Sequence, residues 1–136
     1  MGKKRKTIGK LKADLDKIYN RYIRLSKTVE GYANCISCGN KTSFENLDCG
    51  HFFAKKGYDG LRYDEENCWP ECRDCNRYNE SHLIGYQDNL RLKIGEERLQ
   101  ALKDRAAEYK KGFFKWDRSE IEEKIKYYKE KLKEFE

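Results

Sequence analysis

From Ile8 the apolar positions fall at Ile8, Leu11, Leu15, Ile18, Tyr22, Leu25 and Val29, alternating in steps of three and four. That spacing keeps one helix face apolar over three heptad repeats, so it predicts a long amphipathic helix that stops near Gly31. A second seam closes the chain at Ile121, Ile125, Tyr128, Leu132 and Phe135, with Asp117 and Glu120 spaced ahead of it as a capping box. Leu99, Leu102, Ala106 and Tyr109, preceded by Gly95, give a third helical pattern. Two uses are open to these stripes: packing within the chain, or pairing with a second copy as a coiled coil.

Residues 31–71 read differently. Gly, Asn and Asp punctuate them, and their apolar runs are as short as Phe52-Phe53, which predicts loops with one or two short strands. Helical spacing resumes at about Cys72 and continues through Leu83, Tyr86 and Leu90. The chain is thus expected to divide into an N-terminal arm and helix (1–30), a central core (31–92) and a C-terminal helical segment (93–136).

Composition limits what can hold these parts together. Leu, Ile, Val and Phe number 26 of the 136 residues, while 40% of the chain is charged. So few aliphatic residues exclude a large hydrophobic core, and the single valine argues against a β-sandwich. Ten Tyr and two Trp add some burial area. No apolar run is long enough to span a membrane, and the N-terminus lacks the apolar stretch of a secretory signal. The expectation is therefore a cytoplasmic protein, whose cysteines bind metal rather than form disulfides.

Charge sharpens the division. Residues 1–30 carry ten Lys or Arg against three Asp or Glu, whereas residues 31–85 carry six against nine. The same central stretch holds all six cysteines and both histidines. A basic arm thus adjoins an acidic core, an arrangement suited to holding nucleic acid on one surface and gathering cations on another.

Cys35-x2-Cys38 and Cys72-x2-Cys75 form two knuckle-like pairs. Tetrahedral zinc takes four thiolates, and each x2 spacing lets one tight turn present two of them. A structural zinc at Cys35, Cys38, Cys72 and Cys75 follows. Cys49 and Cys68 fall outside the pairs and read as small buried hydrophobes. The 33 residues between the pairs exceed the roughly 15–20 of an ordinary zinc ribbon, so the insert must carry structure of its own. Within or beside it stand His51, Asn67 and Asn76.

This pattern of Cys-x2-Cys, then His, then Asn-x4-Cys-x2-Cys-Asn resembles an HNH (ββα-metal) endonuclease with a zinc-stapled core. Asn76 stands where the third histidine of that name would be, as in the endonuclease VII family of Holliday-junction resolvases. Cys49-Gly50-His51, Cys72 to Asn76, Ile84-Gly85-Tyr86 to Leu90, and Ile94-Gly95-Glu96-Glu97-Arg98 are similar to the NinG/Rap recombination nucleases of lambdoid phages. The likeness covers about residues 35–105. The fold it implies is α+β and predominantly helical, with a small zinc-stapled ββα-metal core flanked by long N- and C-terminal amphipathic helices.

The activity it implies is Mg²⁺-dependent (or Mn²⁺-dependent) hydrolysis of DNA phosphodiesters in branched recombination intermediates, in the cytoplasm of a bacterial host. By the same resemblance His51 is the general base, Asn76 a metal ligand, and Asn67 the brace of the loop that aims His51. His51 and Asn76 are expected to face one another across a small cleft. HNH enzymes commonly place Asp before the base histidine; Gly50 stands there instead, and Asp48, on the same strand face, is the candidate substitute. Glu80, one helical turn beyond Asn76, is either a further cation ligand or a solvated acid. His82 is expected to point away from the ion as a surface residue, with phosphate or metal contact as the other option.

Lys3, Lys4, Arg5 and Lys6 form a basic run suited to sequence-independent backbone binding, or to solubility alone. Lys55, Lys56, Arg73 and Arg77 are candidates for phosphates flanking the cleavage point. Two other functions stay open: a generic HNH nickase, and a non-catalytic zinc module that binds nucleic acid. A homodimer is also compatible with the helical seams.

Overall fold

Thr7 starts the first helix: its hydroxyl accepts the backbone N–H of Lys10 at 3.1 Å and satisfies a donor that the first turn leaves over. The computed structural model describes residues 4–136, so Lys3 lies outside the described residues. Helix α1 (Ile8–Ser26) leads into the short antiparallel pair β1 (Tyr32–Asn34) and β2 (Lys41–Ser43). A second pair follows, β3 (Leu47–His51) and β4 (Cys68–Cys72), then helices α2 (Arg73–Tyr78), α3 (His82–Ile94), α4 (Glu96–Lys111) and α5 (Arg118–Lys133). The result is a helix-rich α+β chain with two small two-stranded sheets.

The β3–β4 pair is the centre of the fold. Its register sets Leu47 opposite Cys72, Asp48 opposite Glu71, Gly50 opposite Trp69 and His51 opposite Cys68. Side chains alternate across a strand, so Cys49, His51 and Cys68 share one face, while Asp48, Gly50, Trp69 and Glu71 share the other. Each face meets its own apolar cluster. Cys68 and Cys49 join Leu11, Leu15, Tyr19, Ile23, Tyr63, Ile121 and Tyr128 from the α1–α5 side. Trp69 packs against Ile36, Leu61, Tyr86, Leu90, Leu99, Leu102 and Ala106 from the α3–α4 side. Two modest cores around a shared hairpin replace the single large one that the composition cannot supply.

The terminal helices are therefore part of the core. α1 packs along α5 and against both strands of the hairpin. The face α1 buries is Leu11, Leu15, Tyr19 and Ile23, with Ile18 and Tyr22 half-buried, while Ile8 and Val29 are exposed. This corrects the heptad reading: the helix covers a hairpin as well as another helix, so it needs a wide stripe of i, i+4 positions rather than a narrow two-helix seam. It ends at Ser26, ahead of Gly31, whose φ of +83° serves the turn into β1. The helix sensed from Cys72 onward is in fact two. α2 stops at Tyr78, and α3 restarts at His82 in a new phase. At the far end Asp117 and Glu120 form the capping box of α5. Among the described residues no helix is long and apolar enough to cross a membrane.

Candidate active site and metal centre

All six cysteines carry free thiols, and four converge. The turn after β1 brings Cys35 and Cys38 against Cys72 and Cys75 at the β4–α2 junction, with the ligand atoms within 4.8 Å of one another. Backbone N–H groups of Ser37 and Cys38, each at 3.4 Å, and of Cys72 at 3.3 Å, point at the Cys35 sulfur. Burial alone would raise that thiol, but these N–H donors hold it below its ordinary value. Four sulfurs drawn together, one already surrounded by donors suited to a thiolate, can hold a structural metal such as zinc.

Cys49, His51 and Cys68 form a second convergence, their ligand atoms also within 4.8 Å of one another. Sequence spacing gave no sign of it, because the register of the hairpin makes it. Cys68 is wholly buried in the α1–α5 core, and burial pushes its thiol well above the ordinary range. This group offers three ligands, and its histidine already commits Nε2 to the Arg62 carbonyl, whereas the four cysteines complete a tetrahedral shell, so the four-cysteine cluster is the better metal centre.

His51 ends β3. Its Nε2 lies 2.9 Å from the carbonyl oxygen of Arg62. A carbonyl can only accept, so Nε2 carries the ring proton and Nδ1 keeps its lone pair. Burial lowers the His51 pKa, Lys55 and the Arg62 guanidinium lower it further, and the Arg62 carbonyl and Asp16 offset part of this; the net shift is downward from 6.5. The ring is neutral at pH 7.

Asn67 is fully buried and closes the loop that supplies that carbonyl. Its Oδ1 accepts the Phe53 N–H at 2.8 Å, and its Nδ2 donates to the carbonyls of Phe53 (3.0 Å) and Leu61 (3.2 Å). Leu61 immediately precedes Arg62, so Asn67 ties both sides of the loop within one residue of the His51 anchor.

On the opposite face of the hairpin the outcome differs from the sequence reading. Asn76 Nδ2 donates to Asp48 Oδ2 at 3.0 Å, and Arg77 grips both oxygens of the same carboxylate at 2.9 and 3.0 Å, with Arg73 at 3.9 Å. Asp48, the candidate substitute for the missing Asp at position 50, is thus held in an ion pair, and the two arginines spend charge on it. Glu80 is not one turn beyond Asn76 on a helix; α2 ends first, and Glu80 sits on an exposed turn. His51 does not face Asn76 across a cleft. It lines, with Phe53, Tyr58, His82, Ile84 and Gln87, a cleft of about 540 Å³. The restart at α3 turns His82 inward, where its Nδ1 meets Glu71 Oε2 at 2.6 Å. Glu71, a buried carboxylate of β4, had no signature in the sequence.

The basic positions are spread along the surface. Lys4 and Arg5 are exposed ahead of α1, Lys6 pairs with Asp14 at 3.0 Å, and Lys55 and Lys56 are exposed on the loop after β3.

A protein-family model described as "Bacteriophage Lambda NinG protein" matches residues 2–136. The chain belongs to the NinG family. Among its relatives, protein ninG of Salmonella phage P22 is 31% identical over 100 residues, covering 74% of this chain and 46% of that protein. Protein ninG of Escherichia phage 933W is 38% identical over 63 residues, and that of Escherichia phage lambda 36% over 63. Each of these shorter matches covers 46% of this NinG-family chain, and 31% and 30% of the respective relatives. The matches thus span from under a third to about half of the relatives' length. No solved structure matches the chain significantly.

Proposed function

We propose that this NinG-family chain is a metal-dependent DNA endonuclease of the HNH type, which hydrolyses phosphodiester bonds in branched recombination intermediates such as Holliday junctions and D-loops. It would work in the cytoplasm of the phage's bacterial host. One observation carries the reading: a neutral histidine at a strand end, with Nε2 fixed by a backbone carbonyl and Nδ1 left to take a proton, beside a cleft. The branched substrate rests on the resemblance to phage recombination nucleases.

In this reaction His51 Nδ1 takes a proton from water, and the oxygen attacks phosphorus in line while the bonding pair departs with the 3′ oxygen. Asn67 holds the loop whose carbonyl fixes the ring, so the base does not have to be oriented during the reaction. Asn76 spends its Nδ2 on Asp48 and keeps Oδ1, a hard oxygen donor of the type Mg²⁺ accepts. When bound, the cation stabilises the charge that develops on the phosphate and the leaving oxygen. Lys4, Arg5, Lys55 and Lys56 hold the DNA backbone without reading sequence.

The test compares cleavage of four-way junctions, D-loops and linear duplex of the same sequence, with Mg²⁺ or Mn²⁺, for wild type and His51→Ala, with DNA binding measured separately. Faster cutting of branched DNA, lost in His51→Ala while binding remains, is expected. Equal rates on all substrates would make it a generic nickase. Binding without any cutting by the wild type would make it a zinc module that only holds nucleic acid.

A further inference from the structure

Glu71 is wholly buried, yet only one of its oxygens is used. Oε2 accepts both the Ser37 hydroxyl and the His82 Nδ1–H, whereas Oε1 has no hydrogen-bond partner. A buried carboxylate that leaves one oxygen unpaired is costly, and such an atom calls for an explanation, an ion among them. The position of Oε1 supplies one. It lies against Gly50, where an added β-carbon would overlap it, so the strand can carry only glycine beside this carboxylate. Gly50 is also the residue directly before His51, the position from which HNH enzymes commonly offer an aspartate.

We propose that Glu71, held by Ser37 and His82 against the bare backbone of Gly50, is a ligand for a divalent cation of the Mg²⁺ class, delivering from β4 the carboxylate that β3 lacks. The proposal rests on the nuclease reading for what the cation does there, though not for its binding. Ligating carboxylates are themselves hydrogen-bonded, and two donors on Oε2 with none on Oε1 is the polarity a cation at Oε1 requires. The neighbourhood supplies another oxygen donor. Asn76 spends its Nδ2 on Asp48, the cross-strand partner of Glu71, and keeps its own Oδ1. Mg²⁺ is commonly held by one or two protein oxygens, with water completing its octahedron.

Binding is read without DNA, by the loss of the free Mn²⁺ electron-paramagnetic signal when Mn²⁺ is titrated into the zinc-loaded chain. One Mn²⁺ per chain is expected, with affinity falling at least tenfold in Glu71→Gln and several-fold in His82→Asn, while zinc content and circular dichroism stay unchanged. Wild-type affinity in Glu71→Gln, or no Mn²⁺ binding by the wild type, overturns the proposal. If Glu71→Gln fails to fold, His82→Asn and Ser37→Ala decide, and unchanged affinity in both overturns it. Cleavage is scored separately. A chain that binds Mn²⁺ through Glu71 and never cuts DNA keeps this site and loses the nuclease reading. One that cuts with Mg²⁺ equally well as Glu71→Gln keeps the nuclease reading and loses this site.

Discussion

The 2.9 Å contact between His51 Nε2 and the Arg62 carbonyl decides which nitrogen of the ring is available for chemistry. With the proton fixed on Nε2, Nδ1 is the basic atom, and on the proposed mechanism its protonation would stop it taking a proton from water. The folded pKa is shifted below 6.5 by burial and by Lys55 and Arg62. The cleavage rate should therefore fall as pH drops through a value below 6.5 and be level from there to neutrality. A single-turnover pH profile checks this, and an acid limb centred above pH 7 would contradict it. His51→Ala should lower the rate by about 10²–10⁴-fold, the usual contribution of a positioned general base.

Asn67 makes a sharper stability prediction than its size suggests. Asn67→Ala leaves the Phe53 N–H and the Phe53 and Leu61 carbonyls without their partner, at roughly 1–3 kcal/mol for each buried orphan. A loss of about 3 kcal/mol in urea unfolding is expected, together with slower cleavage, since the Arg62 carbonyl moves with the loop. Asn67→Asp keeps the acceptor and removes both donors, so it should cost nearly as much. A change below about 0.5 kcal/mol in either variant would show that the loop holds without the amide.

How much of this was legible beforehand follows from which interactions are local. The Asp117–Glu120 capping box, the stripe at Leu99, Leu102 and Ala106, and the two x2 cysteine pairs are short-range patterns, and each appears in the structure where its spacing placed it. Tyr19 and Ile23 escaped because burial on α1 is set by two partners at once, which a single-seam reading cannot represent. His82 escaped because the break after Tyr78 resets the helical phase, so a helix running on from Asn76 is the wrong frame for placing its side chain. Glu71 meets Gly50 and Ser37 only through strand register and a turn far away in sequence, and no spacing rule connects them.

Metal removal should separate the two cysteine groups. One zinc per chain is expected by atomic absorption, lost in Cys72→Ser and retained in Cys68→Ala, whose thiol is buried in the core. Chelation should lower the melting temperature and expose Cys35, Cys38, Cys72 and Cys75 to thiol reagents, because zinc-site binding energy is also folding energy. Two zincs per chain in the wild type would instead place the second at Cys49, His51 and Cys68, and would occupy the base.

Acid should loosen the same loop from the other side, through Asp16 on α1. Its Oδ1 accepts Tyr63 Oη at 2.7 Å and Arg62 Nε at 2.9 Å, and its Oδ2 accepts Arg62 Nη2. Burial would raise the Asp16 pKa, but the hydrogen bonds from Arg62 and Tyr63 outweigh it and hold the carboxylate below its ordinary value. A depressed carboxylate stabilises the fold fully above its unfolded pKa of about 3.9, and that contribution is lost as pH falls through the folded value. Asp16→Asn removes it at every pH. The wild type should thus be more stable than Asp16→Asn by about 1–3 kcal/mol from pH 5 upward, and the gap should close as pH falls through the depressed folded value. Arg62 carries the carbonyl that fixes His51, so at pH 7 the variant should also cleave more slowly while its zinc content stays at one. Equal urea midpoints for the two chains at pH 7 would mean that α1 does not anchor the Arg62 loop through this pair.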